Sequence, residues 1–248
     1  MKKIITALLV ALSLICIVGC NAVSDETTTY EITSEIHSLD VEISSADFKI
    51  ENADEFSVVS NLKYLSVTEV NGVLSIVDNS SGNKSYNNAM LTIYIPSNIV
   101  FNEVDLEIGA ASLTIDSLST STAELSLGTG DVQIESINVS SSIEIEGGTG
   151  EITIANGTLN NLSLDLGTGE MNLTGAILGS SSLEFGVGES SVTLVGSRED
   201  YRLDVEKSIG SITIDGESIN GSYVSGNGQN RIEIEGGVGS INVTFQEN

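Results

Sequence analysis

The chain has 248 residues, room for one long domain or two short ones, and 40% of them are hydrophobic, so a packed core is within reach and disorder is excluded. That core is aliphatic: aromatic residues make up 4%, Trp is absent and Pro occurs once, which removes any Trp-lined sugar or base platform. Nine Lys and Arg against 35 Asp and Glu give a formal charge of −26, which excludes nucleic acid and other polyanions held by bulk electrostatics and leaves cations and basic surfaces as partners.

Met1-Lys2-Lys3 is a positive start, and Ile4 to Gly19 follows without a charge or a Pro, the layout of a secretory signal over residues 1–19. At its end, Ile17-Val18-Gly19-Cys20 resembles the bacterial lipobox. The resemblance implies cleavage before Cys20 and a diacylglyceryl thioether on its sulfur, hence a lipid-anchored, extracytoplasmic protein on the bacterial cell membrane. Processing there removes Lys2, Lys3 and Cys16, leaving seven basic residues against 35 acids, a net −28. With its remaining Cys blocked, the mature chain has no internal disulfide, thiol nucleophile or Cys metal site. Asn21 to Thr29, small and polar, is expected as a tether, so residues 20–29 form anchor and tether.

Residues 30–100 form a less regular β segment. Leu39 to Ile50 (LDVEISSADFKI) alternates apolar and polar residues around Ser44-Ser45-Ala46, and Val67 to Asp78 has Asn71-Gly72 between apolar runs, a hairpin signal. Asn79 to Ala89 reads as a mobile polar loop, and Leu91 to Pro96 (LTIYIP) as a strand stopped by the only Pro.

Residues 101–248 repeat. Leu106–Ile115, Leu125–Ile134, Ile145–Ile154, Leu164–Leu173, Leu183–Leu194, Glu206–Ile214 and Ile234–Val243 each read as strand, turn, strand, the turn being Gly-x-Gly except at Gly109-Ala110-Ala111 and the weak Ser208-Ile209-Gly210. Turns starting at Gly109, Gly128, Gly148, Gly167, Gly186, Ser208 and Gly237 are 19, 20, 19, 19, 22 and 29 residues apart, the last two steps being insertions. The extra Gly147 and Gly236 are expected as bulges. Translated copies stack in parallel, which predicts an all-β, parallel β-solenoid with coils of about 19–20 residues; an antiparallel sandwich is the competing arrangement.

A lipobox, the LTIYIP strand and repeated LxLGTGxxxI units together resemble the bacterial putative-adhesin β-strand-repeat domains, a family of unknown function. The resemblance covers most of Tyr30 to Phe245. It implies a right-handed solenoid with a part in adhesion or envelope response, and it carries over no catalytic residue and no cofactor.

Acids follow several turns: Asp47, Asp131, Glu151, Glu170 and Glu189. Stacked in parallel they lie about 4.8 Å apart, a spacing that could attract Ca²⁺. Gly147 to Ala155 resembles a Ca²⁺-binding nonapeptide, yet Ile152 stands where the ligand Asp belongs, so a solvated acidic edge is the plainer reading and no metal site is assigned. A carboxylate pair for glycoside cleavage is the enzymatic alternative, and a Ca²⁺-loaded stalk the other. His37, the only His, has no partner completing a triad or metal site. Arg198, Glu199, Asp200, Tyr201, Arg202 and Lys207 form one mixed-charge insertion, of which Arg198, Asp200, Tyr201, Arg202 and Lys207 are the candidate interaction face for an unknown envelope or surface ligand; residues 221–231 form a second insertion. The reading is a non-enzymatic, adhesin-like interaction module anchored by Cys20.

Overall fold

The computed structural model describes residues 21–247; Cys20 and the signal expected over residues 1–19 lie outside the described residues. In chain order the strands are β1 (Val23–Glu31), β2 (Ser38–Ile43), β3 (Asp47–Ala53), β4 (Ser57–Leu62), β5 (Leu65–Val70), β6 (Val73–Asp78), β7 (Met90–Pro96), β8 (Phe101–Ala110), β9 (Ser112–Ile115), β10 (Leu118–Thr129), β11 (Val132–Ile134) and β12 (Ile137–Ile154). There follow β13 (Gly157–Asn160), β14 (Leu162–Leu178), β15 (Ser180–Val195), a short 3-10 turn at Arg198–Asp200, β16 (Tyr201–Ile214), β17 (Glu217–Ile219), β18 (Tyr223–Ser225) and β19 (Asn230–Gln246).

Period-2 patterning puts alternate side chains inside, and parallel pairing sets each on its counterpart one coil away. Leu125, Ile145, Leu164, Leu183, Ile234 and Val205 form one such column. None is more than 1% exposed. Each contributes roughly 1.5–3 kcal/mol by burial, which makes the column, and not local propensity, the source of stability. The solenoid expected from the repeat is therefore present, as one continuous all-β stack.

The glycines set how closely the coils approach. A Cβ on Gly148 lies 2.2 Å from the Gly128 carbonyl oxygen, and one on Gly169 lies 1.8 Å from that of Gly150. Gly130, Gly150, Gly169, Gly188, Gly239 and Gly210 have φ of +143° to +151°. Close backbone approach and positive φ together require the Gly-x-Gly spacing.

Gly147 and Gly236 are not the expected bulges. Gly147 pairs in register with Leu127 and Leu166, and Gly236 with Phe185 and Lys207. Gly147 occupies an inward slot that Leu166 and Ile152 fill from either side, their Cδ1 atoms 2.7 and 2.8 Å from where its Cβ would stand. The extra residue of that coil lies instead at Ser140–Ser141, where the register shifts.

Strand order departs from chain order at both ends. The β2–β3 coil sits between the β6–β7 coil, which follows it in sequence, and β8–β9. Likewise β19 enters between β15 and β16. The coil with both turn glycines, Gly237 and Gly239, thereby takes the slot with neighbours on two sides, and the coil carrying Ser208 takes the end. Antiparallel strands cover the outer edges: β5 on β6, β4 and then β1 outside β7, and β17 and β18 on β16. Such covering shortens the open parallel edges on which a second chain could add.

Two expectations for the start of the domain are corrected. Residues 21–29 are no tether: Asn21 bridges Ser85, Ala22 and Val23 are buried, and β1 pairs with β4. The 79–89 loop is pinned. Asp78, only 7% exposed, accepts hydrogen bonds from the Ser80 hydroxyl at 3.0 Å and the Tyr86 hydroxyl at 2.7 Å. Asn71 and Gly72, at φ +52° and +79°, form the turn of the β5–β6 hairpin as their sequence indicates.

Candidate interaction surface

Outward residues stack as strictly as inward ones, so the composition of each strand's polar face becomes a column on the wall. Asp40, Asp105, Glu124, Glu144, Ser163, Ser182, Glu233 and Asp204 are successive partners. Two residues along, so are Glu42, Glu107, Ser126, Glu146, Asp165, Glu184, Glu235 and Glu206. The first column has six carboxylates and the second seven, with strand spacings of about 4.8 Å between neighbours. Desolvation, then Asp40, Glu103 and Glu107, raise the Asp105 pKa. Glu124 is raised chiefly by Asp105, with smaller contributions from desolvation and from Glu144, Glu146 and Glu103. This wall is electrostatically self-repelling and suited to a cationic surface.

The turn acids stack in part. Glu151, Glu170 and Glu189 are successive partners, Asp131 lies just before the Val132–Ile152 register, and the column continues as Ser240 and Ser211. Asp47 pairs with Ser112, which donates to its carboxylate at 3.2 Å. Among the described residues, no group of three or more His, Cys, Asp or Glu is placed to hold a metal ion. At the middle position of the turn, Thr129, Thr149 and Thr168 give way along one ridge to Val187, Val238 and Ile209, which are 50%, 48% and 71% exposed.

The residues of the 198–207 insertion are dispersed among separate tasks. Arg198 pairs with Asp215 at 2.6 Å and lies 5.1 Å from the Phe245 ring centroid. Asp200 closes a capping box by accepting from the Ser197 backbone N–H at 3.0 Å. Tyr201 is 2% exposed, packs against Phe245 and donates its hydroxyl to the Val195 carbonyl at 2.6 Å; burial raises its pKa. It is a core residue. Arg202 stands beside Arg231 in the ladder, where Arg231 pairs with Asp204 and Glu233. The side chain of Lys207 lies outside the described ones. His37 is exposed, its ring close to Gly72.

Sequence reasoning singled out acids after the turns and missed those before them. Their signal is acid-apolar-acid just ahead of the turn, as in Asp105-Leu106-Glu107, Glu144-Ile145-Glu146, Asp204-Val205-Glu206 and Glu233-Ile234-Glu235. Reading the repeat for its polar positions as well as its apolar ones would have found the wall.

A one-domain β stack with parallel coils, glycine corners and covered ends defines the class: a solenoid-like all-β repeat protein. The chain belongs to the Toastrack DUF4097 family, whose pattern matches residues 16–244. Similar solved structures include a putative cell adhesion protein from Clostridium sporogenes, 17% identical with a TM-score of 0.40, the match covering 89% of this chain and 99% of that one. Another is a putative lipid binding protein from Parabacteroides distasonis, 16% identical, TM-score 0.39, covering 89% and 98%. A putative adhesin from Bacteroides fragilis is 12% identical, TM-score 0.34, covering 89% and 98%. No curated protein matches the chain.

Proposed function

We propose that this protein is a lipid-anchored, non-enzymatic interaction module of the bacterial cell surface. Its export and anchoring rest on the Ile17-Val18-Gly19-Cys20 lipobox behind a charged start and an apolar run. The observation that carries the interaction reading is the double carboxylate column, a wall on which each of its coils offers at least one acid, interrupted by Ser126, Ser163 and Ser182. Such a wall suits a cationic macromolecular partner and repels nucleic acid and anionic lipid. Most of its acids are exposed, Asp105 and Asp204 being half-buried, and none is held apart in an apolar pocket as acid–base chemistry needs, so they serve attraction and orientation. The 198–207 insertion contributes less to this reading, because Arg198 is tied to Asp215 and Tyr201 to the core.

Photo-crosslinking on intact cells tests the reading. A probe at Glu146 or Asp165 on the wall is expected to give discrete adducts with a basic envelope partner, and a probe at Thr114, on a different side of the coil, is not. Equal adduct patterns from both positions, or covalent turnover of an envelope glycan abolished by one acid substitution, would overturn it.

A further inference from the structure

The first described residues are fixed to the end of the stack. Asn21 bridges Ser85, the Ala22 N–H donates to the Ser85 carbonyl at 3.0 Å, and the Ala22 carbonyl accepts from the Lys63 N–H at 2.8 Å. Ala22 is 1% exposed and Val23 6%, and Val23 pairs with Leu62. Asn21, the first residue of this pinned segment, directly follows Cys20, and a residue spans at most about 3.6 Å. A lipid on the Cys20 sulfur therefore leaves no slack between the bilayer and this end of the stack.

What surrounds that exit has the chemistry of a membrane interface. Lys63 and Tyr64 form the turn between β4 and β5, Lys63 exposed and Tyr64 44% exposed. Lys84, from the pinned loop, holds its ammonium 5.1 Å from the Tyr64 ring centroid. The Tyr64 carbonyl accepts from the Asn79 N–H at 3.0 Å, tying turn to loop. Tyr and Lys are the residues that settle at headgroup level, the ring amphipathic and the long stem carrying its charge to phosphate. Asp25 and Glu26 come next on β1, so the local charge is near balance, which fits zwitterionic headgroups held close by the anchor.

We infer that the end of the stack formed by Asn21–Val23, the Lys63–Tyr64 turn and the 79–89 loop is a bilayer-contact face that sets the orientation of the solenoid. This rests on the lipid anchoring proposed above. Because β1 lies outside β4, and β4 outside β7, the contact face is the outermost edge of one end. Eight coil steps separate β7 from β16, and β4 and β1 add two more outside β7, which puts the β16–β18 end roughly 50 Å from the headgroups. The carboxylate wall then runs up from the membrane, and the Val187–Val238–Ile209 ridge stands near its outer end.

The test uses lipidated full-length protein in phosphatidylcholine vesicles carrying nitroxide-headgroup lipid. Fluorophores are attached at Asn83→Cys, beside the anchor, or Asn220→Cys, at the far end. Mass spectrometry of the Cys20 peptide and vesicle flotation come first, and an unmodified Cys20 overturns the anchoring reading itself. With lipidation verified, quenching at position 83 is expected to exceed that at 220 by about three-fold or more, given the roughly 40 Å between them. Inserting a Gly/Ser linker of about 20 residues after Cys20, which reaches about 25 Å, should cut the quenching at position 83 while flotation is retained. Lys63→Glu with Lys84→Glu should also lower it without changing flotation. Equal quenching at the two positions in floated, lipidated protein overturns the orientation, and quenching at 83 unchanged by both lysine reversals overturns the contact.

Discussion

Replacing Gly169 by Ala isolates the close approach on which the stack depends. The new Cβ stands 1.8 Å from the Gly150 carbonyl oxygen, where ordinary contact begins near 3.4 Å. The coils would have to part by about a third of their 4.8 Å spacing to accept it. Holding Ala at φ +151° adds about 1–3 kcal/mol of strain, and each ladder hydrogen bond lost with the separation adds about 0.5–1.5 kcal/mol. With two such bonds broken the cost is about 2–6 kcal/mol, a large share of the 5–15 kcal/mol typical of a domain. Gly216→Ala is the control: φ is +80° but no atom lies within 4 Å, so backbone strain alone remains, about 1–2 kcal/mol. Urea unfolding at constant m-value reads both. A Gly169→Ala loss no larger than that of Gly216→Ala would refute the account of the glycine ladder.

Further outcomes follow from the same packing. Leu164→Ala should lose about 2–5 kcal/mol, whereas Asp165→Asn, its outward neighbour, should be neutral or stabilising because it thins a like-charge column; comparable urea midpoints would show the facing is wrong. The raised pKa values of Asp105 and Glu124 mean the folded state binds protons more readily than the unfolded chain, so stability should rise as pH falls through their raised folded values toward the ordinary ones of 3.8 and 4.5, and Asp105→Asn should flatten that rise in thermal melts. Glu69, lowered by hydrogen bonds from Ser34, acts the other way, its stabilisation being lost only at more acidic pH. Added salt should also raise the melting temperature, by screening the wall. Ending the chain after Gln229 removes β19, which lies between β15 and β16, so such a truncation should abolish soluble folded protein and not merely fray one end; cooperative unfolding of the truncated protein would count against the exchanged strand order.

The body of the stack was legible because its cause is local and repeated. Leu164, Asp165 and Gly167 recur at near-constant spacing, and a translated repeat with period-2 strands has few other ways to bury its apolar face. The exchanged ends were not legible. The choice between β16 and β19 for the slot on β15 depends on which coil satisfies two neighbours at once, a comparison of packing over 51 residues of separation that spacing alone does not encode. Asn21–Thr29 read as a tether because its residues are small and polar, but its backbone amides and carbonyls find partners in β4 and Ser85 across the fold. The same holds for Asp78, whose burial depends on Ser80 and Tyr86 folding back over it. The acidic wall was legible in part: each acid-apolar-acid triplet is plain, and their alignment follows once the register is known.

Mass spectrometry of the protein extracted with detergent from the cell envelope tests the central claim most directly. The account predicts an N-terminal peptide that begins at Cys20 and carries a diacylglyceryl thioether, on a domain that protease added outside the cell can reach. A peptide retaining residues before Cys20, or an unmodified Cys20 on a chain shielded from that protease, would contradict it.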